Sequence, residues 1–531
     1  MNQLAQFEDK RLALQAKLDA AKEQSERNRL GQFATPTGLA LDIVRHAETL
    51  LPTIEPVRFL DPAIGTGSFY SALLRTFPPA RIIAAEGFEI DPQYGKLGRE
   101  LWREMPLRLH LADFTRAKPP CADSERFNLI ICNPPYVRHH HLPGEEKVRL
   151  QRATQAACGV RVAGLAGLYC YFLGLSHPWM AESGIAGWLI PSEFMDVNYG
   201  RQVKRYLLTQ VTLLRVHRFD PNELQFEDAL VSSVVVWFRR AKPLTDHTVE
   251  FTFGGSLGQP KVSRLVPAPA LHREAKWTRF PISEVRENVA GLTLADFFTI
   301  KRGLATGDNR FFILTREQLA EYGLPMKFFR PILPSPRHLP NNEILADKHG
   351  NPLLDRQLFL LDCRLPEDEV RAKYPALWRY LQGGKPEVSE RYLCKTRTPW
   401  YSQENRPASP FICTYMGRTD VKSGRPFRFI LNHSRATAAN VYLLLYPKAI
   451  LARALMKGPQ LARKVWTALN EICPQTMLRE GRVYGGGLHK MEPKELANVP
   501  AEAIAAILPV TVRPPAAQPD LFKEMLASPR R

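Results

Sequence analysis

Phe59-Leu60-Asp61-Pro62-Ala63-Ile64-Gly65-Thr66-Gly67-Ser68-Phe69 decides the fold. An apolar run starting at Val57 enters a turn with two glycines, and a helix-forming pattern follows. Glycine lets the backbone bend sharply and lets a ligand lie against it. In an open parallel sheet, ligands bind at the carboxyl ends of strands, where this turn falls. No Lys-Ser or Lys-Thr follows the glycines, which excludes the phosphate-binding P-loop.

Working outward, short β-rich runs recur at Ile82–Ala85, Phe127–Ile131, Gly187–Ile190 and Val231–Phe238, with helix-like segments between the earlier ones. Such alternation predicts an α/β domain with a mainly parallel sheet and helices on both faces. Leu213–Val216 before the last run predicts a closing hairpin. Two further strand ends carry acids. Phe88-Glu89-Ile90-Asp91-Pro92 places Glu89 where ribose hydroxyls can donate to it. Leu111-Ala112-Asp113-Phe114 offers an acceptor for an adenine amine and a ring to pack beside it.

The next strand ends abruptly in Asn133-Pro134-Pro135-Tyr136. Two prolines fix φ and forbid a continuing ladder, so the tip is rigid. An exocyclic aromatic amine is a poor nucleophile, because its lone pair is delocalised. The Asn133 side-chain oxygen and the Pro134 carbonyl are two acceptors that can draw its hydrogens and free the lone pair. A methyl sulfonium is already activated, so in-line displacement needs no covalent enzyme intermediate. Tyr136 can stack on a base, worth roughly 1–3 kcal/mol.

This ordered set resembles the N6-adenine DNA methyltransferases of bacterial restriction-modification systems, of the TaqI-like and Eco57I-like kind in which cofactor motifs precede the catalytic tetrad. The resemblance is strong over residues 30–240. It implies a class I S-adenosylmethionine-dependent methyltransferase domain, Rossmann-like with a seven-stranded sheet, and a C-terminal α+β target-recognition domain. Gly31-Gln32-Phe33-Ala34-Thr35-Pro36 matches a segment that contacts the methionine end of the cofactor. By position, Thr35, Asp61, Ala63, Gly65, Gly67, Glu89, Ile90, Asp113 and Phe114 would hold S-adenosyl-L-methionine. Leu224-Gln225-Phe226-Glu227-Asp228-Ala229 matches a later motif, in which Phe226 would stack on a flipped adenine.

Two related chemistries share the tetrad's logic. Protein-glutamine methyltransferases are shorter and lack a large basic C-terminal domain. N4-cytosine enzymes more often carry Ser or Asp before Pro-Pro. The Pro-Cys and Glu-Asn-Val pair of cytosine C5 enzymes occurs here as Pro120-Cys121 and Glu287-Asn288-Val289, but Cys121 precedes the strand rather than ending it.

Leu292 to Asn309 resembles the opening of the target-recognition domain, and Tyr484 to Met491 its close. Basic and aromatic clusters lie between, and Arg302, Lys395, Arg397, Arg418 and Arg435 are candidates for DNA contact. The formal net charge of +19 agrees with a polyanionic partner. No window approaches eighteen apolar residues and residues 1–29 hold no apolar signal core, which turns the choice from membrane to double-stranded DNA. None of the eight cysteines forms a C-x-x-C pair, so a reducing, cytoplasmic compartment is expected. No metal is expected, since adjacent His139, His140 and His141 point apart. A monomer is expected, with a restriction endonuclease encoded separately as the partner such a system implies.

The expected division is an N-terminal helix (1–29) docked by Leu4, Phe7, Leu12, Leu14 and Leu18, a methyltransferase domain (30–245), a connecting segment (246–290), a target-recognition domain (291–510) and a flexible tail (511–531).

Overall fold

The computed structural model describes residues 3–221, 223, 225, 232–281, 291–420, 423–458 and 460–508. The expected tail, 511–531, lies outside them. The chain forms two compact units, one of Met1–Arg286 with Tyr484–Gly486 and one of Glu287–Val483 with Gly487–Arg531.

The first unit is built on a nine-stranded sheet among the described residues. Its strands are β1 (Val57–Asp61), β2 (Ile82–Glu89), β3 (Arg108–Leu111), β4 (Phe127–Cys132), β5 (Met180–Pro191), β6 (Thr212–Arg218), β7 (Ser233–Arg239), β8 (Thr248–Gly255) and β9 (Pro260–Pro267). The order is β3-β2-β1-β4-β5-β7-β6-β8-β9. The β3-to-β5 half is parallel throughout. β7 pairs antiparallel with both β5 and β6, which gives the expected hairpin.

Every residue of β4 is buried, as a central parallel strand covered on both faces requires. Its side chains alternate between two cores. Ile130 and Cys132 join Leu150, Phe172 and Leu207, from helices Gly144–Cys158, Leu168–Leu175 and Gly200–Thr209. Leu129 and Ile131 join Ile43, Phe69 and Trp102 on the other face. The strand order reverses between β1 and β4, so their carboxyl ends open the crevice where such sheets bind ligands.

Two expectations are corrected. Residues 246–290 are not a connecting segment throughout: β8 and β9, with Val249, Phe251 and Val266 buried, add two strands to the expected seven among the described residues. Gly254 and Gly255, at φ 63° and 68°, end β8 where the chain turns toward β9, and they cut short the alternation Val249-Glu250-Phe251. The N-terminal helix, Gln3–Ala20, does not dock by one apolar stripe. Leu12 is exposed, while Glu8, Arg11 and Leu18 are buried and Phe7 stacks on Trp102 at 6.0 Å.

The second unit is mixed α and β. One sheet runs Phe298–Arg302, Tyr442–Pro447, Phe411–Thr414, Phe429–Asn432 and Glu343–Ile344. Its core also takes Leu451, Val465 and Leu469 from helices Ala449–Lys457 and Leu461–Glu471. A smaller sheet runs Ile313–Thr315, Leu358–Leu361, Phe329–Leu333 and Thr437–Ala438.

Candidate active site

β1 ends at Asp61 and the glycine turn follows. Gly65 and Gly67 adopt φ of 56° and 91°, a region that favours glycine. A Cβ on Gly67 would stand 2.6 Å from Nε1 of Trp102, which donates to the Thr66 carbonyl at 3.0 Å. The Asp61 carboxylate is buried and accepts from the Ala63 N–H at 3.1 Å. Burial pushes its pKa from 3.8 up to about 8; Glu89 adds to the rise, and the Ala63 N–H opposes it.

Glu89 ends β2. One oxygen accepts from the Gly65 N–H at 3.0 Å and the other from the Asp91 N–H at 2.8 Å. Burial raises its pKa against these bonds. Asp91 caps helix Pro92–Leu101 through the Gln93 N–H and pairs with Lys22. Asp113, after β3, accepts from the Thr115 N–H and hydroxyl, each at 2.8 Å, and pairs with Arg116. Arg149 then holds Thr115, donating to its carbonyl at 2.9 Å and its hydroxyl at 2.7 Å. Phe114 is buried edge-on to Phe88 at 5.4 Å.

The tip of β4 differs. Asn133 donates its amide hydrogens to the Phe33 carbonyl at 2.9 Å and to the Thr35 hydroxyl at 3.1 Å. The Phe33 carbonyl can only accept, so the amide has one orientation. Its oxygen, Oδ1, is buried and has no hydrogen-bond partner among the described residues. Tyr136 donates its N–H to the Gly31 carbonyl at 3.2 Å and its hydroxyl to the Leu189 carbonyl at 3.1 Å, and its ring leans on Phe33 at 5.7 Å. Gly31 caps helix Gln24–Leu30 at φ 67°, and a Cβ there would meet the Tyr136 nitrogen at 2.4 Å.

These tips surround a cavity of about 510 Å³. Of the residues expected from sequence, Ala63, Gly65, Glu89, Ile90, Asp113, Phe114, Asn133 and Pro135 line it. Thr35 and Asp61 line a small adjoining chamber of about 50 Å³. Gly67, Pro134 and Tyr136 line neither; Gly67 supports the turn, and Tyr136 is only 8% exposed. Phe226 lies outside the described residues. Sequence reasoning missed Gln15 and Asp19, which also line the cavity. Their signal was the polar repeat Arg11, Gln15, Asp19 at a spacing of four on one helix.

In the second unit, Lys395, Arg418 and Arg435 are exposed. Exposed Arg302 lies over the Tyr415 ring at 4.0 Å and donates to the Asn440 carbonyl at 2.9 Å. Arg397 is half-buried and spends its guanidinium on the carbonyls of Ala305 and Thr306 at 2.6 and 2.8 Å.

Comparison with known proteins agrees with this architecture. The profile of the Type II methyltransferase M.Eco57I C-terminal domain matches residues 276–514, and that of the Eco57I restriction-modification methylase matches residues 97–225. Type II methyltransferase M.XamI of Xanthomonas campestris pv. amaranthicola is 30% identical over 488 residues, spanning 89% of this chain and 85% of its own. Type II methyltransferase M.AccI of Acinetobacter calcoaceticus is 25% identical over 489 residues, with 88% and 85% covered. Among solved structures, the Type IIL restriction-modification enzyme MmeI in complex with DNA shares the fold at a TM-score of 0.55 and 14% identity, over 90% of this chain and 69% of its own. The chain belongs to the Type II DNA methyltransferases of restriction-modification systems.

Proposed function

We propose that the protein transfers a methyl group from S-adenosyl-L-methionine to the N6 amine of an adenine flipped out of duplex DNA, at one recognition sequence. The observation that carries this reading is the Asn133 oxygen, buried at a strand tip, held in one orientation and without a donor among the described residues. A buried acceptor without a donor is costly, and such a group needs a reason to persist. An amine hydrogen of the substrate would satisfy it.

The cavity suits the cofactor by charge. Asp19, Glu89, Asp91, Asp113 and Glu146 line it, and Asp61 stands in the adjoining chamber. Burial drives Asp61 and Glu89 toward their protonated forms, and a cation placed beside them would reverse that. The bound cofactor supplies a sulfonium-activated methyl and, in its ammonium, a second positive charge. Glu89 would accept from the ribose hydroxyls with lone pairs beyond those used by Gly65 and Asp91. Asp113 would face the adenine amine, with Phe114 beside the ring.

The chain's part in the reaction is polarisation. Asn133 Oδ1 accepts from one hydrogen of the target amine, and the Pro134 carbonyl, which lines neither chamber, accepts from the other once the entering base uncovers it. So polarised, the nitrogen would direct its lone pair at the activated methyl that the cofactor supplies, the carbon–sulfur bond breaking as the carbon–nitrogen bond forms and one N–H proton passing to solvent. Stacking on Tyr136, worth roughly 1–3 kcal/mol, offsets a flipping cost of a few kcal/mol. It requires the Tyr136 ring to be uncovered when DNA binds. Phe226 is the second stacking candidate. Lys395, Arg418, Arg435 and Arg302 are candidates for phosphate or base contact, the protein acts as a monomer, and its endonuclease partner is a separate chain.

Single-molecule sequencing of DNA from cells expressing the protein tests this reading. N6-methyladenine at one short sequence is expected. N4-methylcytosine would change the target base, and unmodified DNA with active, folded protein would remove the proposal. DNA affinity should fall steeply with salt as condensed counterions are released.

A further inference from the structure

Helix Gln3–Ala20 turns a polar stripe toward the cavity. Arg11 donates to the Thr66 hydroxyl at 3.1 Å and the Ser68 hydroxyl at 2.9 Å, both at the glycine turn. The Thr66 hydroxyl donates to Gln15 Oε1 at 2.8 Å. The Gln15 amide donates to Asp19 at 2.9 Å, and Asp19 also accepts from the Tyr94 hydroxyl at 2.9 Å. Just beyond the helix, Lys22 reaches Asp91 and donates to Gln32 at 3.0 Å.

Beneath the stripe, Arg11 pairs with Glu8 at 2.7 Å, with both side chains buried. Such a pair is costly to desolvate unless its remaining donors and acceptors are met. Here Ser71 and Thr37 also donate to Glu8. Burial alone would raise the Glu8 pKa, yet Arg11, Ser71 and Thr37 together hold it down at about 2. The helix is therefore latched to the glycine turn by polar contacts.

Gln15 is common to the main cavity and to the 50 Å³ chamber among Thr35, Asp61, Gly65, Thr66 and Asn133. A chamber that small admits an ammonium or carboxylate head and excludes a purine ring. Two neighbours orient the Gln15 amide. Arg11 can only donate, so the Thr66 hydroxyl accepts from it and donates onward to the Gln15 oxygen, while Asp19 Oδ1 takes the Gln15 N–H. An amide oxygen has two lone pairs, and Thr66 uses one.

We propose that Gln15 is a further binding residue, whose carbonyl oxygen accepts from the α-ammonium of the methyl donor, and that Asp19 is the positioning residue that fixes its amide. This rests on the reading of the cavity as the S-adenosylmethionine site. The amino-acid end of the cofactor would then lie at the Gln15 chamber, and the nucleoside end between Glu89 and Asp113.

Calorimetry on the full chain tests the assignment with two probes: S-adenosylmethionine, and 5′-methylthioadenosine, which keeps the nucleoside and lacks the amino-acid end. The weaker probe is read by displacement. Gln15→Ala is expected to raise the Kd for S-adenosylmethionine about tenfold, the loss of one hydrogen bond to a charged group, and to leave methylthioadenosine unchanged. Asp19→Asn should give a smaller loss, confined to the same ligand. Glu89→Ala should weaken both. Should alanine loosen the helix, judged by circular dichroism, Gln15→Met repeats the measurement with side-chain length kept and the acceptor removed. Wild-type affinity in the Gln15 variants, or equal loss of both ligands, overturns the assignment while Glu89→Ala still reports the cofactor site. A wild-type protein that binds neither ligand, or a Glu89→Ala variant that binds both normally, removes the cofactor reading and this proposal with it.

Discussion

Two edges of one crevice are built in opposite ways. At the tips of β2 and β3, Glu89 and Asp113 have their carboxylates engaged by the chain's own backbone N–H groups. At the tip of β4, the donors of Asn133 are engaged and its acceptor, among the described residues, is not. The first edge has its carboxylates hydrogen-bonded before any ligand arrives, although burial still raises the Glu89 pKa. The second keeps one buried acceptor unmet, and that acceptor faces no competitor when a substrate amine enters. A binding edge is preorganised by saturation, and a reacting edge by a single deficit.

The sharpest way to break this contrast is to remove the deficit. Asn133→Ala is expected to lower methyl transfer by at least about 10²–10³-fold, the range for loss of one preorganised polar group, with cofactor affinity retained. A radiolabel transfer assay beside calorimetry checks it. Methylation retained in this variant would remove Asn133 from the chemistry. The converse substitution, Glu89→Ala, should raise the cofactor Kd roughly 30- to 100-fold, as charged hydrogen bonds are lost, and leave the rate at saturating cofactor nearly unchanged. If both variants moved the same parameter, the two edges would not be separate devices.

Between these extremes stands the joint that sets the tetrad against the cofactor segment. Gly31→Ala forces a side chain into the left-handed region and against the Tyr136 nitrogen. The strain is about 1–2 kcal/mol, and the displaced tip should lose about tenfold in rate, since small misplacements at a reacting centre are expensive. Cofactor affinity, measured in parallel, should change less than the rate.

A smaller effect separates the edges by pH. Asp61 has its folded pKa raised from 3.8 to about 8, so the folded state holds its proton more tightly than the unfolded one. The stability it contributes is complete below about 3.8 and is lost as pH rises toward about 8. Asp61→Asn removes that dependence. Without cofactor, the wild-type melting temperature should fall relative to the variant as pH rises from about 6 to about 8, seen by calorimetric scans; parallel curves would show that Asp61 is ionised throughout.

How much of this was legible follows from the range of the forces involved. Gly65 and Gly67 announce a turn through their own backbone freedom, and Pro134 and Pro135 announce a rigid tip in the same local way. Glu89 and Asp113 are legible because strand ends in a parallel sheet fall on one edge. The polar stripe of helix Gln3–Ala20 is another matter. Glu8 and Arg11 read as solvated charges until Thr37, Thr66 and Ser71, up to 63 residues away, are brought against them. β8 and β9 were hidden because two turn glycines outweighed a short alternation that only the rest of the sheet could bury.

The smallest expected effect tests whether position in the fold, rather than residue type, decides chemistry. Cys121 follows a proline, as a nucleophilic cysteine of a cytosine C5 enzyme would, and it is exposed and unpaired. It stands before β4 and lines neither the cavity nor its small chamber. The six residues of β4 separate that end of the strand from Asn133 by about 20 Å at 3.3 Å per residue. A thiolate there cannot reach a base held at the opposite end. The other half of that motif, Glu287-Asn288-Val289, lies outside the described residues. Cys121→Ala is therefore expected to leave transfer rate, cofactor affinity and melting temperature unchanged. Abolished transfer in a variant that still folds and binds cofactor would place a covalent nucleophile on the wrong edge of the sheet, and the division of labour between the strand tips would have to be abandoned.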